Sequence, residues 1–235
     1  MEKPIEKNFI DHIANALGRK ETLSKTPNRM KDEVGPPVFW SEQEKLHGKG
    51  LELFKSNLEA LTGRAEVVKT KEEVWSKLRE WLDELKASAI ICWDHKELLE
   101  LTQVEKMGVA VKLWNTDSSS SDLIEFAAEA DVGLTWADYA IAYTGSIVVF
   151  SGPKQGRTVS LLPPTHIAVL RKEMIVPTMG TVIRKIKELS GTEQMPSSIN
   201  FITGPSRSAD IEMDLSIGVH GPYRVWVIVL DSSLK

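Results

Sequence analysis

Residues 65–93 read AEVVKTKEEVWSKLREWLDELKASAIICW, and this stretch decides the fold class. An apolar run at 65–69 predicts a strand, an amphipathic pattern follows, and a second apolar run at 89–93 predicts another strand. Thr70 and Glu73 have the spacing of a capping box, which predicts the start of the helix. A strand, a helix and a strand in this order predict a right-handed crossover between two parallel strands.

The same alternation continues up to Trp136. Apolar runs at 109–113 and 131–136 predict two more strands, and helical patterns at 98–104 and 122–128 precede them. The residues 94–97 predict a second helix cap. Connections of this length are typical of parallel pairing. The chain up to residue 136 therefore predicts a mainly parallel sheet.

After Trp136 the apolar runs become short and lie close together. Glycine, proline and charged residues separate them, which predicts hairpins and an antiparallel extension, with one helix at 181–189. The run at 199–203 is predicted to be a buried strand. The predicted strands of this part are residues 146–150, 159–162, 166–170, 174–176, 199–203 and 223–230. We therefore predict an α/β fold with a mainly parallel sheet and an antiparallel hairpin extension.

The first 40 residues differ from the rest. A helical stripe at 5–17 ends at Gly18, and the pattern then breaks over residues 19–40, where Pro27, Pro36 and Pro37 favour extended backbone. We predict two parts, an N-terminal helix and extended arm at 1–40 and an α/β domain at 41–235. The arm is predicted to pack on another subunit, which makes the protein a candidate homo-oligomer. A loose tail is the alternative for residues 19–35.

Composition excludes several classes of protein. The chain has 235 residues, 42% of them hydrophobic, with a net charge of −4 and a pI near 5.8. The chain lacks the excess of basic residues that would indicate nucleic-acid binding. No apolar run reaches the roughly 18 residues of a membrane span. The N-terminus lacks the apolar segment of a signal peptide. We expect a cytoplasmic protein without a membrane span.

The single cysteine, Cys92, limits redox chemistry. One cysteine excludes an internal disulfide, a cysteine-ligated iron–sulfur cluster and a dithiol pair. No two histidines stand at metal-ligand spacing, and no glycine-rich nucleotide loop is present. The sequence therefore predicts no metal site and no bound cofactor.

Polar residues follow the apolar run at 199–203. Gly204 and Pro205 end the run, and a second tight loop at 218–222 precedes the last strand. In an open α/β sheet ligands lie outside the carboxyl ends of strands. The candidate ligand-binding residues here are Gly204, Ser206, Arg207, Ser208, Asp210, Glu212 and His220. The alternative is that glycine and proline only shape loops and that the charges are solvated.

A second group of candidates precedes the strand at 146–150. Gly145 lies between two hydroxyl residues and, together with Ser146, allows a ligand to approach the backbone closely, although the pattern by itself favours a tight turn or bulge. Arg157 is suited to bind a carboxylate or phosphate. His166 is a candidate proton donor or orienting group, or else a hydrogen-bonded core histidine. We predict that Gly145, Ser146 and Arg157 share one cleft with the loop after residue 203, which requires the strands at 146–150 and 199–203 to be antiparallel.

Dense motifs in the second half resemble the LUD-domain family. They cover roughly residues 125–230, and the first half agrees more loosely. The matching stretches are residues 131–135, 144–149, 156–157, 159–163, 199–206, 208–212 and 218–222. The resemblance implies a three-layer α/β/α fold related to the sugar-phosphate isomerases and the CoA-transferases.

The resemblance also implies a role in oxidising L-lactate to pyruvate together with iron–sulfur partner proteins, which agrees with the cysteine count. It does not supply a reaction for this chain. Related sequences usually have glutamate where this chain has Tyr143, so Asp210 and Glu212 are the remaining acidic candidates. The alternative function is a stand-alone transferase or ligase acting on a CoA-, folate- or phosphate-type ligand.

Overall fold

A computed structural model describes residues 4–18, 48–209, 215–217 and 220–232. Contacts divide the chain into two units, residues 1–40 and 41–235. In the first unit, helix α1 spans Pro4–Ala16 and is followed by Gly18 with φ +70°. The predicted arm lies outside the described residues.

The second unit is built on a six-stranded sheet with the order β1-β12-β7-β4-β2-β3. All neighbouring pairs are parallel. The central strands are almost wholly buried, whereas β3 at one edge is only half-buried. The strands are β1 (Arg64–Val68), β2 (Ala89–Trp93), β3 (Ala110–Trp114), β4 (Val132–Trp136), β7 (Thr165–Arg171) and β12 (Arg224–Leu230).

Helices cover both faces of this sheet. Right-handed crossovers place α3 and α4 on one face and α5 and α6 on the other, because the chain reverses direction after β3. The reversal makes the gap between β2 and β4 the switch point of the sheet. The helices are α2 (Gly50–Ala60), α3 (Lys71–Leu85), α4 (Lys96–Thr102), α5 (Ser120–Glu129), α6 (Thr158–Leu161) and α7 (Met179–Leu189), with 3₁₀ turns at Val104–Lys106 and Lys172–Met174.

Both predicted helix caps are present. The Thr70 hydroxyl accepts a hydrogen bond from the Glu73 N–H at 3.2 Å, and the Glu73 carboxylate accepts one from the Lys69 N–H at 2.6 Å. At the start of α4, the cap is the imidazole of His95, whose Nδ1 accepts from the Leu98 N–H at 3.3 Å. This places the His95 ring at a fixed point beyond β2.

A second sheet of four strands, ordered β8-β5-β6-β9, forms the extension. Strand β6 is antiparallel to both β5 and β9, and β8 is parallel to β5. A separate two-stranded sheet joins β10 to β11. The strands are β5 (Tyr139–Ile141), β6 (Ser146–Ser151), β8 (Ile175–Val176), β9 (Ser198–Ile202), β10 (Arg207–Ala209) and β11 (Leu215–Ile217).

Two of the predicted strands are wrong in kind or position. Residues 159–161 belong to helix α6, and Leu162 is its C-cap. The Leu162 N–H donates a hydrogen bond to the Thr158 carbonyl at 2.9 Å, as in a helix. The Val159 backbone packs so closely on Gly133 that a Cβ there would lie 1.7 Å from the Val159 oxygen. The run at 199–203 is a strand, but β9 lies at the edge of the second sheet and is half-buried throughout.

The predicted fold class is confirmed: an α/β/α arrangement with a mainly parallel sheet and an antiparallel extension. Strands β5, β10 and β11, each of three residues, were not predicted. In the described part of the chain, no helix has the length and apolar character needed to cross a membrane.

Candidate functional site

The structure brings two of the predicted loops together. Strand β6 pairs antiparallel with β9, with Ile147 opposite Ile202, so that the loop before β6 and the turn after β9 lie at the same end. The Ser146 hydroxyl lies 2.7 Å from that of Thr203 and 2.7 Å from that of Thr144. We call these three residues the hydroxyl chain.

Glycine makes this approach feasible. Gly145 has φ +62°, and a Cβ there would lie 2.4 Å from the backbone nitrogen of Leu58 in α2. Gly204 has φ +76°, and a Cβ there would lie 3.0 Å from the Cβ of Leu61. Both positions require glycine, because the loop backbone lies against the backbone of Leu58 at Gly145 and against the Cβ of Leu61 at Gly204. The two glycines therefore hold both loops against the end of α2.

Asn57 fastens the first loop to α2. Its amide Nδ2 donates to the Ala142 carbonyl at 2.8 Å and to the Tyr143 carbonyl at 3.1 Å. Tyr143 leaves 41% of its surface exposed. The loop thus has a fixed backbone and an exposed side chain at its tip.

The Ser206 turn joins this end to the main sheet. The Ser206 N–H donates to the Pro222 carbonyl at 3.0 Å, and the Tyr223 N–H donates to the Pro164 carbonyl at 2.8 Å. These bonds place the turn at the amino ends of β12 and β7. His220 beside it is exposed.

The remaining candidates near this turn are described only in part. The backbone of Arg207 and Ser208 belongs to β10, and their side chains lie outside the described part of the structure, as do residues Asp210 and Glu212 entirely. Their predicted role as ligand-binding residues stays a prediction.

Arg157 is not brought to this end of the sheet. It precedes α6, next to Gly156, whose carbonyl accepts a hydrogen bond from the Trp93 Nε1 at 2.9 Å. Trp93 is the last residue of β2, so Arg157 lies near the carboxyl ends of the strands. Arg157 therefore lies away from the two loops, and a ligand-binding cleft between those loops stays a prediction.

His166 is a core residue. It is fully buried in β7, and its Nε2 lies 2.8 Å from the Thr135 hydroxyl, while no described residue hydrogen-bonds to its Nδ1. Burial lowers the pKa of His166 to about 4, because a charged ring is not solvated there. The ring is therefore neutral at pH 7.

Sequence reasoning missed the charged groups at the carboxyl ends of the main sheet. Arg171 at the end of β7 donates through Nε and Nη2 to Glu97, and Lys172 bonds to Asp231 at 2.7 Å. His95 stacks on Trp136 with ring centroids 5.1 Å apart. Ligands of open α/β sheets bind at the carboxyl ends of the strands, so these residues could have been predicted if the order of the strands in the sheet had been known.

Arg171, Glu97 and His95 border a cavity of about 360 Å³ on the face that carries α3 and α4. We call it the carboxyl-end cavity. Its walls are polar and of mixed charge, and it is open at the surface. It is lined by Lys71, His95, Lys96, Glu97, Glu100, Leu101 and Arg171.

Asp138 is a further residue that the sequence did not indicate. It follows β4, is half-buried, and its carboxylate accepts from the Phe150 N–H at 2.7 Å. Burial raises the pKa of Asp138 to about 7, although the hydrogen bond from Phe150 opposes the rise. This carboxyl group therefore changes charge near neutral pH.

The described residues hold no group of three or more histidine, cysteine, aspartate or glutamate side chains placed to bind a metal ion. Cys92 is fully buried, and burial raises the pKa of its thiol, so the thiolate that reacts or ligates does not form at pH 7.

The LUD domain family model matches residues 51–230. Lactate utilization protein C of Shouchella clausii (strain KSM-K16) is 36% identical over 231 residues, which are 95% of this chain and 96% of that protein. Lactate utilization protein C of Geobacillus sp. (strain WCH70) is 40% identical over 232 residues, 94% of each chain.

A solved structure shares the fold. The crystal structure of a DUF162 family protein from Deinococcus radiodurans superposes with a TM-score of 0.57 at 22% identity, covering 77% of this chain and 96% of that one. At this identity the likeness concerns the fold alone.

Proposed function

This chain belongs to the LUD-domain family, and from that we propose that it is a cytoplasmic, non-redox subunit of a lactate utilization system, required with iron–sulfur partner proteins for the oxidation of L-lactate to pyruvate. One observation carries the proposal. Relatives called lactate utilization protein C match nearly the whole of this chain and nearly the whole of their own length. Their names support involvement in lactate utilization.

The cysteine count supports the non-redox part. Oxidation of lactate to pyruvate releases two electrons and two protons, which must pass to an acceptor. An iron–sulfur cluster commonly takes four cysteine thiolates, and this chain has one cysteine, which is buried. Iron–sulfur electron carriers would therefore be separate proteins.

The two joined loops are the proposed contact region for a ligand or a partner. Gly145 and Gly204 lie against the end of α2, and the Ser206 N–H is bound to the Pro222 carbonyl, and loops held this way commonly carry function. Arg207, Ser208, Asp210, Glu212 and His220 are proposed to complete it.

Gene deletion tests the proposal. The deletion strain should fail to grow on L-lactate as the carbon source and grow normally on glucose, and a plasmid copy should restore growth on lactate. Affinity purification from lactate-grown cells should recover iron–sulfur proteins. Normal growth of the deletion strain on L-lactate would refute the proposal.

The carboxyl-end cavity favours a second candidate, a transferase or ligase acting alone on a CoA-, folate- or phosphate-type ligand, since α/β sheets bind ligands at this end. Turnover of such a substrate by the purified chain would support it. Activity that appears only when iron–sulfur partners are added would support the first function instead.

A further inference from the structure

The carboxyl-end cavity lies apart from the two joined loops. Arg171, His95 and α4 border it on the face of the main sheet that carries α3 and α4. The loops lie against α2, at the amino ends of β12 and β7. The switch point between β2 and β4 opens beside the cavity, because His95 follows β2 and stacks on Trp136 at the end of β4. Ligands of open α/β sheets bind at such points.

The fixed charges of the cavity favour an anion. Three cations and two carboxylates line it. The Arg171 guanidinium donates to Glu97 through Nε and Nη2, and no described residue accepts a hydrogen bond from its Nη1. Lys96 lies 4.0 Å from Glu100 and is highly exposed, so that pair is weak. Among the described residues no carboxylate pairs with Lys71, which leaves one uncompensated positive charge at the cavity.

His95 adds a donor of known orientation. Its Nδ1 accepts the Leu98 N–H at 3.3 Å, so the neutral ring carries its proton on Nε2. Burial lowers the pKa of His95, although Glu97 and Asp94 oppose this, so burial favours the neutral form of the ring. Stacking on Trp136, with an angle of 16° between the rings, fixes the plane in which Nε2 points.

We propose that the carboxyl-end cavity binds a small anion, a carboxylate or a phosphate, through Lys71, Nη1 of Arg171 and the Nε2–H of His95. A volume of about 360 Å³ lies at the lower end of the range for small-molecule pockets, which suits a ligand of metabolite size. An ion held by a guanidinium and an ammonium gains charge-assisted hydrogen bonds. The binding site does not depend on the proposed role in lactate utilization.

Titration calorimetry on the purified full-length protein tests the proposal. L-Lactate, pyruvate and inorganic phosphate are titrated separately in a low-chloride buffer, and at least one should bind saturably. Lys71→Met should weaken that binding about tenfold, which corresponds to about 1.4 kcal/mol. His95→Asn should weaken it severalfold and keep the helix cap, because asparagine is a good N-cap residue.

Lys77→Met is the matched control. Lys77 lies on the same helix as Lys71, faces Glu80 at 2.6 Å and does not line the cavity, so its loss should leave the affinity unchanged. Circular dichroism checks that each variant is folded. Binding of phosphate alone identifies a phosphate site, and binding of lactate or pyruvate identifies a carboxylate site. No saturable binding of any of the three, or equal affinity in wild type, Lys71→Met and His95→Asn, overturns the proposal.

Discussion

Replacing Asp138 with asparagine should change how the stability of the protein depends on pH. The folded pKa of this carboxyl group is raised to about 7 by burial, from an ordinary value of 3.8. Between these two values the folded state binds more protons than the unfolded state, so wild-type stability falls as pH rises. Asparagine cannot ionise, and its side-chain oxygen can still accept the Phe150 N–H.

The size of the effect follows from the two pKa values. Between pH 5 and pH 8 a group with folded and unfolded pKa values of about 7 and about 4 loses roughly 2.6 kcal/mol of folding free energy. Asp138 is half-buried, and solvent reduces this to about 1–2 kcal/mol. The stability of Asp138→Asn minus that of wild type should therefore rise by this amount from pH 5 to pH 8.

Urea unfolding followed by circular dichroism at pH 5, 6, 7 and 8 measures this difference. Comparing variant with wild type removes the contribution of His166, whose lowered pKa has the opposite sign: it makes the fold less stable as pH falls below about 6.5.

Asp131→Asn is the control. Burial alone would raise the pKa of Asp131, but three hydrogen bonds from Ser88 and Ala89 lower it, so this carboxylate contributes stability above about pH 4 that is lost as pH falls further. Its variant should be less stable than wild type by the same amount at pH 5 and pH 8. A difference for Asp138→Asn that stays constant over this range, or that falls, would refute the reasoning.

Three other perturbations test separate parts of the structure. Gly145→Ala should destabilise the protein by more than about 2 kcal/mol in urea unfolding, because the new Cβ meets the backbone of α2. The control Gly191→Ala, at φ +82° with no described atom within 4 Å, should lower the stability by only about 1–2 kcal/mol. Equal losses of stability in the two variants would contradict this reasoning. Arg207→Ala should abolish growth on L-lactate and leave the melting temperature of the protein unchanged. A strain with the control variant Arg79→Ala, in which the replaced side chain is exposed and lies over the Trp75 ring, should grow normally. Growth of both strains on L-lactate would show that Arg207 is not part of the site. Deleting residues 1–40 should weaken self-association or partner binding in light scattering and pull-down assays and leave the circular dichroism spectrum of the sheet intact, and unchanged association would rule out the arm as a contact.

The sequence by itself determined the order and kind of most elements. The period of apolar residues separates strands from helices, and Thr70, Glu73 and Gly18 mark helix ends through bonds that involve only near neighbours. Such local signals do not depend on the rest of the fold. The loops near Gly145 and Gly204 could also be predicted from the sequence, because their glycine and hydroxyl residues form short local patterns.

Local signals failed where packing decided the outcome. Residues 159–162 are apolar enough for a strand, yet they form a helical turn that packs on Gly133, which is distant in sequence. The run at 199–203 is apolar enough for a central strand, yet β9 is an edge strand, since sheet order depends on which strands pair. The period of apolar residues in a sequence indicates that a strand is buried, but it does not indicate which strand lies next to it.

Only the tertiary structure decided which polar residues meet. Antiparallel pairing of β6 and β9 brings Ser146 to Thr203, whereas β6 leads the chain away from that end, so that Arg157 beyond it lies near the carboxyl end of β2. The pairing of Arg171 with Glu97 joins residues 74 positions apart and forms a wall of the carboxyl-end cavity. Contacts of this kind depend on strand order, which no local pattern of a single sequence encodes.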